Sequence, residues 1–211
     1  MGLDYSLCAL VDRQKSAPWL PRFVELLDDR SRARFKNLVW TPASETQRTT
    51  YIGTTETDAR GIAGFELDEH DRDNNYCLSF LVQFEPEMRK HLTDWRECFD
   101  APGPFGCMWT SVLAGARYVL IESTAATSGM SRALRDSSVM HGMWRQFAED
   151  IQAVTAYVDI EDESGMQLYP GTEDLIMPDV NTLAFEDDYH FSIDLMAEYL
   201  CRMNRLDRPS S

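Results

Sequence analysis

Apolar and polar positions alternate over several short runs of this chain, as they do in β-strands. The run at 5–11 is apolar on both of its faces, so we expect a strand that is buried on both sides and lies inside a sheet. Residues 61–67 and 76–84 flank the polar segment 68–75, an arrangement that predicts a hairpin with a long tip. Further strands are predicted within 35–60, at 107–112 and 116–123 as a second hairpin, and at 153–160 and 166–169.

Apolar residues recur at helical spacing in four other segments, which begin near Pro18, Pro86, Ser138 and Asp187. The positions expected to face the core are Trp19, Leu20, Phe23, Leu26 and Leu27; Met88, Leu92, Trp95 and Phe99; Val139, Met143, Phe147 and Ile151; and Tyr189, Ile193, Met196, Leu200 and Met203. The small-residue stretch 124–129 and most of 170–188 are predicted to be loops.

This order of elements predicts an α+β fold with a mixed or mainly antiparallel sheet and helices packed on it. A chain of 211 residues with 44% hydrophobic residues can bury an ample core, so we expect a single domain over 1–211. The Pro/Gly cluster at 101–104 is the strongest internal break, where two halves of that domain would meet. The sequence lacks a secretory signal pattern and any apolar run of the roughly 18 residues needed to span a membrane, which predicts a cytoplasmic protein.

The net charge of -15 is concentrated in about a quarter of the chain. Residues 146–201 contain fourteen acidic residues and no lysine or arginine, whereas residues 1–145 hold twenty acidic and seventeen basic residues. Like charges crowded on a small domain repel one another and lower its stability, so the segregation suggests a use. We expect an acidic surface that binds a partner protein, with contacts from Asp159, Glu161, Asp162, Glu163, Tyr169, Glu173, Asp174, Glu186, Asp187 and Asp188.

Such a surface also fits a divalent-cation site, a mimic of nucleic-acid charge, or a face that is merely solvated. Asp159, Glu161 and Glu163 alternate, so on a strand their carboxylates would align on one face. The segment 71–76 resembles the opening of a calcium loop, but Tyr76 stands where the turn requires glycine. We therefore predict no bound metal and no cofactor. Direct binding of nucleic acid is disfavoured because no patch is rich in lysine and arginine.

The sequence carries none of the common catalytic signatures for hydrolases, kinases or zinc proteases. Cys107 with His141 is the nearest to a thiol-protease pair, but Cys107 falls in a predicted strand and not at a helix start, where a thiolate is stabilised. A set of Ser128 or Ser131 with Glu122 and His141 is no stronger. The five cysteines are odd in number and form no Cys-x-x-Cys pair, which predicts mostly buried free thiols. We predict a protein that is not an enzyme, with a small metal-dependent or thiol enzyme as the alternative.

The segments YVLIESTAATSGMSRAL, SSVMHGMWRQFAED and TAYVDIEDE lie within residues 117–163, about a quarter of the chain. They resemble the core of bacterial immunity proteins that neutralise polymorphic or type VI secreted toxins, in the group that accompanies restriction-endonuclease-like nuclease toxins. The resemblance implies a cytoplasmic α+β inhibitor without enzymatic activity that binds its cognate toxin tightly. The acidic stretch, an independent observation, predicts that this toxin is basic. An inhibitor that mimics nucleic acid is the second alternative.

Overall fold

The computed structural model describes residues 4–12, 19–32, 36–40, 50–54, 63–66, 76–83, 85–90, 103–114, 117–161, 164–178 and 193–206. Its strands are β1 (Ser6–Asp12), β2 (Lys36–Trp40), β3 (Thr50–Thr54), β4 (Ala63–Glu66), β5 (Tyr76–Val82), β6 (Gly103–Ala114), β7 (Tyr118–Ala125), β8 (Thr155–Asp159), β9 (Ser164–Tyr169) and β10 (Asp174–Ile176). Its helices are α1 (Trp19–Glu25), α2 (Asp29–Arg32), α3 (Ser128–Asp136), α4 (Ser138–Ile151) and α5 (Ile193–Asn204), with a 3-10 turn at Pro86–Lys90. The predicted α+β class is confirmed.

Seven strands form one antiparallel sheet in the order β10-β9-β8-β1-β7-β6-β5. The central strand β1 is buried along its whole length, which confirms the interior strand predicted from its apolar run. The predicted β6–β7 hairpin is also confirmed. β6 begins at Gly103, so the predicted break at 101–104 lies partly inside a strand, and the sheet contains strands from both sides of it.

The hairpin predicted from residues 61–67 and 76–84 is wrong, although both strands exist. β4 pairs with β3 in a separate sheet of order β2-β3-β4, whereas β5 pairs with β6 at the edge of the seven-stranded sheet. Leu78, Phe80 and Val82 on β5 are buried in the core of the larger sheet. Burial of this apolar face decided the partner of β5, and nearness in sequence did not.

The seven-stranded sheet has two faces, which we call the first and the second. On the first face, Leu7, Ala9 and Val11 of β1 share the main core with residues of α1, α3 and α4. Trp144 of α4 lies fully buried in this core, with edge-on contacts to Phe23 and Phe80. Its indole Nε1 donates a hydrogen bond to the Cys8 carbonyl oxygen at 2.8 Å. Both apolar packing and a buried hydrogen bond therefore hold α4 against β1.

The second face carries the alternate residues of the same strands. At one end of this face Leu10, Tyr118 and Leu120 pack under the buried side of α5. That side includes Ile193, Met196 and Leu200, as the helical spacing predicts. Met203, also predicted to be buried, is 41% exposed, because Ala197 and Cys201 turn inward in its place. The predicted helix start at 187–189 lies outside the described residues.

Two capped helices follow β7, and the sequence predicted only the second of them. The predicted loop at 124–129 is wrong at both ends, because β7 runs to Ala125 and α3 begins at Ser128 with Thr127 as its N-cap. The Thr127 side chain accepts a hydrogen bond from the Met130 N–H. α4 was predicted with Ser138 as its cap, but Ser137 fills that role and accepts from the Met140 N–H. Short capped helices of small residues resemble loops in sequence, which explains the miss.

Other differences concern where elements end. α1 stops at Glu25, and Leu27, predicted to lie in this helix, forms a bridge to Phe80 of β5. Only the first turn of the helix predicted from Pro86 is described, as a 3-10 turn, and 91–100 lie outside the described residues. β10 was not predicted; its edge is closed by the Asn204 amide, which accepts from the Ile176 N–H and donates to the Ile176 carbonyl. Filling these backbone groups blocks the pairing of another strand there.

Candidate partner-binding surface

The acidic stretch 146–201 begins inside α4, runs through β8, β9 and β10, and ends in α5. Its exposed carboxylates in the described residues are Glu149, Asp150, Glu161, Glu173, Asp174 and Glu198. Glu149 pairs with Arg145 at 3.1 Å, a contact between exposed groups that solvent weakens. Most of the charge in the described part of this stretch is thus presented to solvent.

The predicted alignment of Asp159, Glu161 and Glu163 along one strand is wrong. β8 ends at Asp159, and Glu161 lies in the left-handed region with φ 60°. The Asp159 Oδ1 accepts a hydrogen bond from the Glu161 N–H at 3.0 Å, which closes the turn. Aspartate favours such turns because its carboxylate reaches the backbone two residues on. Asp162 and Glu163 lie outside the described residues.

The remaining predicted contact residues do not share one face of the sheet. Asp159 pairs with Ser6 and lies on the second face, whereas Asp174 pairs with Met166, whose side chain packs on the first-face core. Tyr169 is half-buried against that same core. Glu173 is exposed immediately before β10, and Glu186, Asp187 and Asp188 lie outside the described residues. Within the described residues, Asp159 is therefore separated from Asp174 and Tyr169.

The structure adds a residue that the sequence analysis did not place on this surface. Glu122 of β7 is directly opposite Ser111 of β6 and Cys8 of β1, on the second face. The Ser111 hydroxyl donates a hydrogen bond to Glu122 Oε2 at 3.3 Å. Burial raises the pKa of Glu122, and the nearby charge of Asp159 raises it further. The signal was present in the sequence, since Glu122 is a lone carboxylate inside the otherwise uncharged strand 118–125.

The thiols that the structure describes are unsuited to catalysis. Cys8 and Cys201 are buried and form no disulfide. Burial raises the pKa of the Cys8 thiol well above its usual range, and the charges of Glu122 and Asp159 add to the effect, so the reactive thiolate is disfavoured. Cys107 lies in β6, the strand position expected from the sequence, and its side chain lies outside the described set.

The histidine and serine singled out in the sequence contact the backbone. His141 Nε2 lies 2.6 Å from the Leu134 carbonyl oxygen at the end of α3, and burial lowers the pKa of this imidazole. The Ser131 hydroxyl donates to the Thr127 carbonyl and accepts from the Tyr5 N–H. These contacts join α3 to its neighbours, as structural residues do. Among the described residues, no group of three or more His, Cys, Asp or Glu side chains is arranged to hold a metal ion.

No protein-family model, curated protein or solved structure matches this chain. Within the described ranges, no helix is long and apolar enough to cross a membrane.

Proposed function

We propose that this protein is a cytoplasmic immunity protein that binds and neutralises a basic cognate toxin, with a nuclease as the leading type. The observation that carries the proposal is the segregation of charge, with fourteen acidic residues and no lysine or arginine over 146–201. In the described part of that stretch most of these carboxylates are exposed, so their field reaches solvent. The sequence resemblance of residues 117–163 to immunity proteins supports the same function.

A nuclease explains the sign and the extent of this charge. Enzymes that hold nucleic acid line their clefts with lysine and arginine, because affinity for phosphates comes from neutralising them. An acidic inhibitor is attracted to such a cleft over a distance and can associate at up to about 10⁸–10⁹ M⁻¹s⁻¹ at low salt. Fast capture matters to a cell whose own nucleic acid is the toxin's substrate.

The contact residues in this proposal are the acidic side chains of the stretch together with Tyr169. Glu161 in the β8–β9 turn and Glu173 before β10 are exposed and available to a partner. Tyr169 is half-buried and offers an aromatic edge beside them in the chain. The proposed set also includes Asp159 and Asp174, which lie on opposite faces of the sheet. It is completed by Asp162, Glu163, Glu186, Asp187 and Asp188, which lie outside the described residues.

The first experiment is capture of the partner. The tagged protein is incubated at low salt with lysate of the source organism, and bound proteins are eluted by a salt gradient. A single basic protein that leaves only at high salt, and whose toxic activity the pure protein abolishes, is the expected result. A set of unrelated DNA-binding enzymes would instead favour the nucleic-acid mimic. Absence of any inhibited partner, with the candidate toxin genes expressed, would contradict both.

The second experiment locates the surface with the captured toxin. A Glu161→Lys, Glu173→Lys double variant should associate at least about tenfold more slowly at low salt, and the difference should shrink as salt screens the charges. The matched control is Asp29→Lys, Glu87→Lys, which changes the net charge equally at exposed sites outside the stretch. Equal slowing by the two double variants would show that only total charge matters.

A further inference from the structure

The second face of the seven-stranded sheet is apolar at one end of its strands and polar at the other. α5 packs on the apolar end, where Leu10, Tyr118 and Leu120 lie. Beyond them the strand pairings define two rows of neighbouring side chains, four strands wide. The nearer row is Ser111, Glu122, Cys8 and Tyr157, and the farther row is Trp109, Thr124, Ser6 and Asp159. Cys8 and Tyr157 still belong to the buried cluster under α5. We call the other six residues, among which Ser6 is buried and Trp109 is exposed, the polar half of the second face.

The farther row has small side chains in the middle and large ones at its ends. The Ser6 and Thr124 hydroxyls form a hydrogen bond at 2.8 Å, and these short side chains leave a depression between the larger ones. Trp109 stands at one end with 51% of its surface exposed, and half-buried Asp159 stands at the other. Glu122 lies diagonally across a strand pair from Trp109, a spacing that aromatic and long side chains can bridge.

In the described part of the chain, no lysine or arginine forms an ion pair with Glu122 or Asp159. The contacts of these carboxylates are neutral donors, such as the Ser111 hydroxyl and the Glu161 N–H. The pKa of Glu122 is raised by burial and then by the charge of Asp159. A cation between them would relieve both effects.

We propose that the polar half of the second face is the socket for one arginine side chain of the partner protein, with its guanidinium between Glu122 and Asp159 and its plane against Trp109. The identity of the partner rests on the proposed function, but the chemistry of the socket does not. Arginine fits better than lysine because its planar guanidinium stacks on an indole and presents several donors to two carboxylates at once.

Two other occupants fit the same face less well. A second copy of this chain would place Glu122 and Asp159 against their own counterparts in a two-fold contact, and each copy carries a net charge of -15. A bare metal ion would need more ligands than these two carboxylates, and no such group exists in the described ranges. The charge and the exposed indole together favour a guanidinium.

The test uses a small probe, so that it does not depend on the toxin. Protein carrying isotope-labelled tryptophan is titrated with N-acetyl-arginine methylamide while the indole N–H signals are followed by NMR, with Trp109→Phe assigning the signal of Trp109. We expect a saturable shift of that signal. The neutral isostere N-acetyl-citrulline methylamide should produce none, because it has the same shape without the charge.

Variants then assign the shift to the carboxylates. Glu122→Gln should weaken the arginine probe at least about tenfold, and Asp159→Asn should weaken it as well, whereas Glu198→Gln on the exposed side of α5 should leave it unchanged. Circular dichroism establishes that each variant is folded. For wild-type protein, binding should also weaken as the pH falls and Glu122 takes up a proton. Equal shifts from the two probes, or equal affinity in wild type and Glu122→Gln, would overturn the socket.

The outcome is distinguishable from that of the proposed function. If a basic toxin is captured but the probe does not shift Trp109, the function stands and the socket fails. If the probe binds as expected but no toxin is inhibited, the socket stands and its partner is of another kind.

Discussion

A carboxylate at the start of α4 predicts how stability should change with pH. Glu85 lies just before the 3-10 turn and reaches the start of α4, more than fifty residues further along the chain. Its Oε1 accepts from the Ser138 hydroxyl at 2.6 Å and the Val139 N–H at 3.0 Å, and its Oε2 accepts from the Ser137 hydroxyl at 2.9 Å. The carboxylate therefore binds the positive end of the helix dipole. The perturbation is Glu85→Gln, which keeps the shape and removes the charge.

The magnitude follows from what glutamine retains. Its single carbonyl oxygen can keep part of this network, whereas the charge at the helix N-terminus, worth about 0.3–1 kcal/mol, is lost. A hydrogen bond to a charged group exceeds one to a neutral group by about 1 kcal/mol, and the half-buried position reduces that excess. We expect Glu85→Gln to lower the free energy of unfolding by about 1 kcal/mol at pH 7. For a chain of this length that corresponds to a fall in Tm of about 2–4 °C.

The pH dependence gives the sharper test. Burial alone would raise the pKa of Glu85, but the hydrogen bonds from Ser138, from the backbone and from Ser137 outweigh it, and the folded pKa lies below its ordinary value. The stabilisation is therefore present above the ordinary glutamate pKa of about 4.3 and is lost as the pH falls through the lowered folded pKa. Urea unfolding followed by circular dichroism from pH 7 down to pH 3 measures the gap between wild type and variant.

The matched control for this series is Glu87→Gln. Glu87 is exposed two residues further along, so its substitution changes the net charge equally without touching α4. A Glu85→Gln variant as stable as Glu87→Gln at pH 7 would refute the reasoning, as would a gap that persists unchanged to pH 3.

Two further predictions concern packing and burial. Gly142 lies in the interior of α4 with open space around its α-carbon, so Gly142→Ala should stabilise the protein by about 0.5–1 kcal/mol. An added Cβ at Gly165 would stand 3.2 Å from the buried Tyr157 ring and 3.0 Å from the Met177 sulfur. Gly165→Ala should therefore destabilise the protein. Urea midpoints of the two variants test this, and the same sign for both would contradict it. The buried thiols of Cys8 and Cys201 should be alkylated only after denaturation, and peptide mapping that finds either modified in the native protein would show that its site opens.

The sequence predicted the features that depend on local burial. The run at 5–11, apolar on both faces, indicated an interior strand, and the spacing at 193, 196 and 200 indicated a buried helical face. It could not predict which strands pair, because β4 and β5 differ in partner although they are neighbours in sequence. It also misjudged the acidic residues, because alternation was extended past Asp159, where a side-chain hydrogen bond to the Glu161 N–H ends the strand.

The candidate site shows the same division. Composition located the negative charge in one stretch, and the described acids there are mostly exposed. Glu122 lies outside that stretch and becomes part of the surface only because β1 pairs with both β7 and β8, which puts Glu122 and Asp159 on the same face two strands apart. Trp109 likewise joins this surface only through strand pairing, because β6 pairs with β7 and places Trp109 opposite Thr124. β7 itself lies two strands away from β8, the strand of Asp159. Long-range pairing, which no local pattern encodes, decides which side chains meet.

Three of the carboxylates that the fold holds keep their charge uncancelled, whereas the buried Asp12 is paired with Arg117 at 3.1 Å. Glu85, Glu122 and Asp159 accept hydrogen bonds from hydroxyl and backbone N–H groups, which orient a carboxylate without cancelling its charge. Had arginines filled these positions, the inward-facing acids would be neutral pairs and the field outside the molecule would be weaker. Holding carboxylates with neutral donors keeps the net charge of -15 available for attracting a basic partner. Among the described residues, Glu122 and Asp159 therefore have no cation paired with them. Their attraction for a guanidinium from a partner protein is strongest in that state.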